Sequence, residues 1–178
     1  MDDKRLERFD AAFRKHYETI RRHAGRVGST DPDDVASECF SALWRRLDEV
    51  RPGFERAWLV ASARKLTANQ RRAGRRREAL FEEAVANERL SAPTWQDEGG
   101  ATDPLVEAVL STLSPADREL LLLEAWDDLD QAEIAQVLGI SRSTASVRLH
   151  RARWRFRREY ARRHDLFPRS TNTIAGGC

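Results

Sequence analysis

Leu129-Asp130-Gln131-Ala132-Glu133-Ile134-Ala135-Gln136-Val137-Leu138-Gly139-Ile140-Ser141-Arg142-Ser143-Thr144-Ala145-Ser146-Val147-Arg148 decides the reading of the C-terminal half. Its demands are those of a helix-turn-helix. Ala135 is small where two helices cross closely, and Gly139 is free to take the left-handed conformation of a tight turn. Ile134, Leu138, Ile140, Ala145 and Leu149 lie on inward faces, and Ser141 is placed to cap the second helix. That helix presents Arg142, Ser143, Thr144, Ser146 and Arg148 near its N-terminal end, the part that enters a major groove. Arg151, Arg153, Arg155, Arg157 and Arg158 follow on its polar flanks, placed for phosphates. Any helical hairpin needs a turn glycine and buried aliphatics; the combined spacing is far more specific than either.

Working outward, the long helix is expected from Arg142 to about Arg163. Upstream, Ser114-Pro115-Ala116-Asp117 opens a helix, with Ser114 as cap, Pro115 at the first position and Asp117 reaching back. Asp103-Pro104 opens the one before it, with Leu105, Val106, Val109, Leu110 and Leu113 inward. In the N-terminal half, Leu6, Phe9, Phe13, Tyr17 and Ile20 predict a helix from Lys4 to Ala24, stopped by Gly25 and Gly28. Thr30 or Asp31 caps a second helix, with Pro32 in its first turn and Asp33 and Asp34 against the dipole. Val35, Cys39, Phe40, Leu43, Trp44, Leu47 and Val50 carry its apolar face until Arg51-Pro52-Gly53 breaks it. A third helix starts at Phe54 or Glu55, turns Trp58, Leu59, Ala61, Ser62 and Leu66 inward, and ends in the basic stretch 71–77.

The expected architecture is all-α: two small helical domains joined by an acidic flexible linker, the second containing the helix-turn-helix. The boundaries are 1–80, a linker at 81–104 where periodicity fades into turn-rich acidic sequence, 105–165, and a flexible tail at 166–178. The 178 residues suffice for two such units. Their net charge of +2 conceals segregation. Residues 1–80 hold 19 basic and 13 acidic side chains, 81–133 hold 2 and 14, and 134–178 hold 10 and 2. Two basic ends around an acidic middle point to polyanion binding.

Other classes fit poorly. Mean hydropathy is −0.66 and no apolar run approaches bilayer length, so no membrane insertion is expected. The opening residues lack a secretory leader, and two cysteines make no disulfide framework, so a cytoplasmic location is expected. Asp31, Asp33 and Asp34 are helix-start acids rather than a metal site. His16 and His23, two turns apart, lack further ligands at zinc spacing. Neither a phosphate loop nor a nucleophile–base pair has local support, so no catalytic residue, metal or cofactor is assigned. Cys39 lies inward and should be inert. Trp58 admits two readings, a core position on the apolar face or a ring that stacks on a base, and Trp154 two others, an exposed contact for a partner or packing on the preceding helix. A DNA-processing enzyme would need a nucleophile or carboxylate cluster that is not found. A two-domain helix-turn-helix regulator that acts on its own is one function this pattern admits.

Leu138-Gly139-Ile140-Ser141 with Thr144 and Arg148-Leu149-His150-Arg151-Ala152-Arg153 resembles the promoter-binding C-terminal domain of bacterial sigma factors of the extracytoplasmic-function group. Independently, Asp33-Asp34-Val35 through Phe40 to Leu43-Trp44 resembles that group's polymerase-binding helix, and Phe54 to Arg64 resembles the helix after it. The resemblance spans about 9–80 and 105–160. Lys65 and Asn69 depart from the usual Asn and Asp, and Ser143 to Arg148 departs from the usual recognition helix. These departures bear on which promoter is read, not on the fold.

The resemblance implies a transcription initiation factor whose partners are core RNA polymerase, promoter DNA and an anti-sigma factor. It implies a first domain that docks on polymerase and opens the −10 element, and a second that holds the −35 element. Asp34, Glu38, Ser41, Arg45 and Asp48 then form the polymerase face. Arg51, Arg64, Lys65, Asn69, Arg71, Arg72 and Arg75 face the −10 strand. Arg142, Ser143, Thr144, Ser146, Arg148, Arg151 and Arg153 face the −35 element. The acidic linker is either a tether or a mimic of nucleic-acid charge.

Overall fold

The computed structural model describes residues 3–82 and 103–166, with side chains described for all of these but 75–82 and 165–166. Seven helices and no strand occur among the described residues: α1 (Asp3–Arg26), α2 (Pro32–Arg46), α3 (Glu55–Glu82), α4 (Pro104–Thr112), α5 (Pro115–Ala125), α6 (Gln131–Leu138) and α7 (Arg142–Leu166). Residues 83–102, most of the expected linker 81–104, and residues 167–178 of the expected tail 166–178 lie outside the described residues.

Helices α1, α2 and α3 pack together around Ile20, Ala24, Val35, Cys39, Leu43, Leu59, Val60 and Ala63, all fully buried. Helices α4 to α7 close on Val109, Leu113, Leu123, Ile134, Ala145, Leu149 and Ala152. The two units also touch: α3 lies against α6, and the buried residues of both halves form one continuous cluster.

Several boundaries differ from the sequence expectation for identifiable reasons. Helix α1 runs through Gly25 to Arg26, because the left-handed turn that ends it falls at Gly28 (φ +85°). Helix α2 ends at Arg46, before Val50. The Leu47 and Val50 carbonyls freed there accept hydrogen bonds from Arg8 Nη1 (2.9 Å) and Nη2 (2.6 Å), while Arg8 Nε donates to Glu55 Oε1 (2.6 Å). One α1 arginine therefore fixes the whole α2–α3 connection. Helix α3 continues past the basic stretch to Glu82. Its fully buried positions are Ala57, Leu59, Val60, Ala63 and Thr67, while Trp58, Ala61, Ser62 and Leu66 are half-buried. The stripe is rotated because α3 packs on α1 and α2 and also on α6. Ser114 caps α5 through the Asp117 N–H (3.1 Å), but the Asp117 carboxylate accepts from Arg155 Nη1 (2.7 Å) instead of reaching back.

Candidate nucleic-acid and polymerase interface

The helix-turn-helix is built from local hydrogen bonds. Asp130 caps α6 by accepting from the Ala132 and Glu133 N–H groups (2.7 and 2.8 Å), and Glu133 Oε2 accepts from the Asp130 N–H (2.9 Å). This capping box satisfies the free donors at the helix start. Gly139 takes φ +65°, and the Ile140 N–H closes on the Ala135 carbonyl at 3.0 Å. Ser141 caps α7, its Oγ accepting from the Thr144 N–H (3.1 Å) and lying 2.8 Å from Thr144 Oγ1 and 3.0 Å from Ser143 Oγ.

The turn leaves the first turns of α7 facing solvent. Arg142, Ser143, Arg148 and Arg151 are exposed and Ser146 is half-buried. Thr144 is half-buried and spends its hydroxyl on the cap, so it serves the turn more than an outside ligand. Arg153, expected at DNA, forms an ion pair with Glu124 of α5, which raises its guanidinium pKa through that hydrogen bond. Arg155, expected at phosphates, turns to Asp117. Both hold α7 on α5. Arg157 and Arg158 remain exposed, and Arg158 lies over the Trp154 ring at 4.9 Å. Trp154 is itself 54% exposed.

In the first unit, Asp34, Glu38, Ser41, Arg45 and Asp48 are all exposed along α2 and its C-terminal turn, with Asp48 paired to Arg5 at 2.9 Å. Arg51 is exposed, its guanidinium 4.8 Å from the Phe54 ring. Lys65, Asn69, Arg71 and Arg72 are exposed on α3, and Arg72 Nη2 donates to Asn69 Oδ1 (2.7 Å). The Arg75 side chain lies outside the described ones. Arg64 is placed differently from its neighbours: it donates to the Val137 carbonyl (3.1 Å) and pairs with Glu119, both in the second unit.

Arg64 belongs to a set of charged contacts that sequence reasoning missed. His23 Nδ1 lies 2.8 Å from Asp127 Oδ2, and Arg26 pairs with the other oxygen. Arg56 donates from Nη2 to Glu133 Oε2 (2.7 Å) and from Nη1 to Asp128 Oδ2 (3.0 Å). Glu133 thus caps α6 and holds α3 with one carboxylate. Burial lowers the Arg56 pKa, but Glu133 and Asp128 outweigh it and raise the value overall. Burial, together with Lys15 and Arg56 nearby, lowers the pKa of His16. The signal for these contacts was the acidic segment 81–133, whose described carboxylates Glu119, Asp127, Asp128 and Glu133 meet arginines of the first unit.

Comparison with known proteins agrees with this geometry. Residues 12–77 match the family described as Sigma-70 region 2, and residues 105–156 match Sigma-70, region 4. The ECF RNA polymerase sigma factor SigE of Mycolicibacterium smegmatis is 28% identical over 171 residues, covering 92% of this chain and 65% of that protein. The RNA polymerase sigma factor CnrH of Cupriavidus metallidurans is 31% identical over 137 residues, covering 71% of this chain and 72% of that one.

This chain belongs to the ECF sigma factors of bacterial RNA polymerase. The chain spans 65% of the length of the first of these relatives and 72% of the second, and the reading as a regulator acting without polymerase is not favoured. Its fold is like that of the sigma factor RpoE solved with the anti-sigma factor NepR from Bartonella quintana. That likeness has a TM-score of 0.58 and 22% identity, and covers 86% of this chain and 96% of that one. No described helix of this sigma factor is long and apolar enough to cross a membrane.

Proposed function

We propose that the two helical units divide promoter engagement between them. The unit within 1–80 docks on core polymerase through Asp34, Glu38, Ser41, Arg45 and Asp48. It holds the opened −10 strand through Arg51, Lys65, Asn69, Arg71, Arg72 and Arg75, while Arg64 is tied to Glu119 and the Val137 carbonyl and joins them only when that contact opens. The unit within 105–165 lays α7 in the major groove of the −35 element, with Arg142, Ser143, Ser146, Arg148 and Arg151 toward the bases. The observation that carries this reading is the exposed N-terminal end of α7, where Arg142, Arg148 and Arg151 form no ion pair within the described residues. Segment 81–104 joins the units and 166–178 is a dispensable tail.

The chemistry is recognition rather than catalysis, the site of action is the cytoplasm, and an anti-sigma protein is the expected external control. The test is run-off transcription from genomic fragments with core polymerase plus this protein. Transcripts that start at defined sites only when the chain is present bear out the reading. Transcription indifferent to the chain refutes it.

A further inference from the structure

The outward face of α7 is centred on an apolar residue. Ala145, Leu149 and Ala152 form the buried stripe of this helix. At 100° per residue, Val147 lies opposite that stripe, in line with Ser143 one turn before it and Arg151 one turn after. Val147 is 51% exposed, among the described large apolar side chains left most in solvent, and the ion pairs that hold α7 on α5 begin further along the helix, at Arg153 and Arg155. Arg148 and Arg151 beside it are exposed and unpaired among the described residues. Trp154 continues the line two turns on, beneath the Arg158 guanidinium.

An apolar group flanked by two unpaired guanidinium groups, Arg148 and Arg151, suits one surface in particular. It fits a major groove, where phosphates answer the arginines and the thymine C5-methyl is the one apolar feature on a base edge. An apolar protein partner would be poorly matched to the flanking charges, which it would have to desolvate without pairing.

We infer that Val147 is a specificity-determining residue that packs on a thymine methyl in the −35 element. This rests on the proposal that α7 reads that duplex. The polar side chains around it then read hydrogen-bonding edges, and Val147 excludes cytosine and favours thymine at one position by contact alone.

The test uses the full chain assembled with core polymerase. Preferred duplexes are first selected from a pool randomised on the −35 side. Each thymine of the winning sequence is then replaced by deoxyuridine, which removes the C5-methyl and leaves every hydrogen-bonding group in place. Affinity should fall about fourfold at one thymine, the value of one buried methyl group. In Val147→Ser the same replacement should have no effect, whereas Val147→Thr, which keeps a methyl, should retain part of it. The inference is overturned if the selected site holds no thymine under α7, if uracil is tolerated everywhere by the native chain, or if Val147→Ser remains equally sensitive. Enrichment of no −35-side sequence at all would overturn both this inference and the proposed role of α7, which separates the two failures.

Discussion

His23 of α1 and Asp127, just after α5, meet in the buried contact between the two units, with Nδ1 2.8 Å from Oδ2 across 104 residues of sequence. Arg26, one turn from His23, pairs with the second Asp127 oxygen, so a single carboxylate ties the end of α1 to the unit that carries the helix-turn-helix. The neighbouring Asp128 takes a left-handed backbone (φ 52°), which sends the two consecutive carboxylates to different arginines: Asp127 to Arg26 and Asp128 to Arg56.

Burial alone would push the Asp127 carboxyl pKa up; His23 and Arg26 outweigh it and hold the carboxyl below the usual range. A group so depressed contributes stability above its unfolded pKa of about 4, and that contribution is lost as pH falls through the lower folded value. Asp127→Asn should therefore cost about 3 kcal/mol at neutral pH, the scale of a broken buried ion pair. The difference from the native chain should shrink as acid protonates the native carboxylate. Urea unfolding at a series of pH values measures both, and coincident curves for the two proteins would show that Asp127 contributes nothing, while parallel but offset curves would show that its ionisation does not.

The helix-turn-helix was legible because its determinants are local. Gly139 and Ser141 each act within a few residues and do what their spacing demands, and Asp130 with Glu133 forms an equally local capping box that the sequence reading passed over. The caps Asp31, Asp103 and Ser114 were legible for the same reason. The roles of Arg64, Arg153 and Arg155 were not, because an arginine on a helix face looks alike in sequence whether it meets a phosphate or a carboxylate dozens of residues away. The burial phase of α3 was misjudged on similar grounds, since a helix packed on two sides shows no single apolar stripe. The charge blocks held the missing information, but composition does not say which acid meets which base.

Arg64 gives the contact between the units a functional consequence. With its guanidinium held by Glu119 and the Val137 carbonyl, it is closed to a −10 strand, while the reading end of α7 stays open. Removing the carboxylate should free it. Glu119→Ala should tighten binding of a −10 single strand to the full chain, by up to about fivefold for a partly exposed pair worth at most about 1 kcal/mol. The double variant with Arg64→Ala should lose the gain. Fluorescence anisotropy on a labelled single strand measures it. An Arg64-independent gain would mean that Glu119 merely repels DNA.

The α2 face makes a separate claim. Glu38 and Arg45 are exposed and take part in no ion pair among the described residues, so reversing their charges should leave the helix content unchanged. Co-elution with core polymerase should weaken in Glu38→Lys with Arg45→Glu. Undiminished co-elution by a chain of native circular dichroism would move the polymerase contact off α2.

The last expectation separates reading from holding along α7. Arg148 is exposed within two turns of the helix start, whereas Arg157 lies more than two turns further on, beyond the arginines that pack on α5. Base contacts specify and phosphate contacts position. Arg148→Ala should cost about 1–3 kcal/mol on the preferred −35 duplex and relax preference at one base pair. Arg157→Ala should weaken every duplex alike and lower the slope of log affinity against log salt by about one unit. Arg153→Ala should instead act through the fold, because its carboxylate partner Glu124 is left half-buried and unpaired, and it should lower the melting temperature. Anisotropy on matched and mismatched duplexes across a salt series, with a thermal melt of each variant, distinguishes the three. Uniform weakening by Arg148→Ala, with sequence preference intact, would shift the reading face from Arg148 to Ser143 and Ser146.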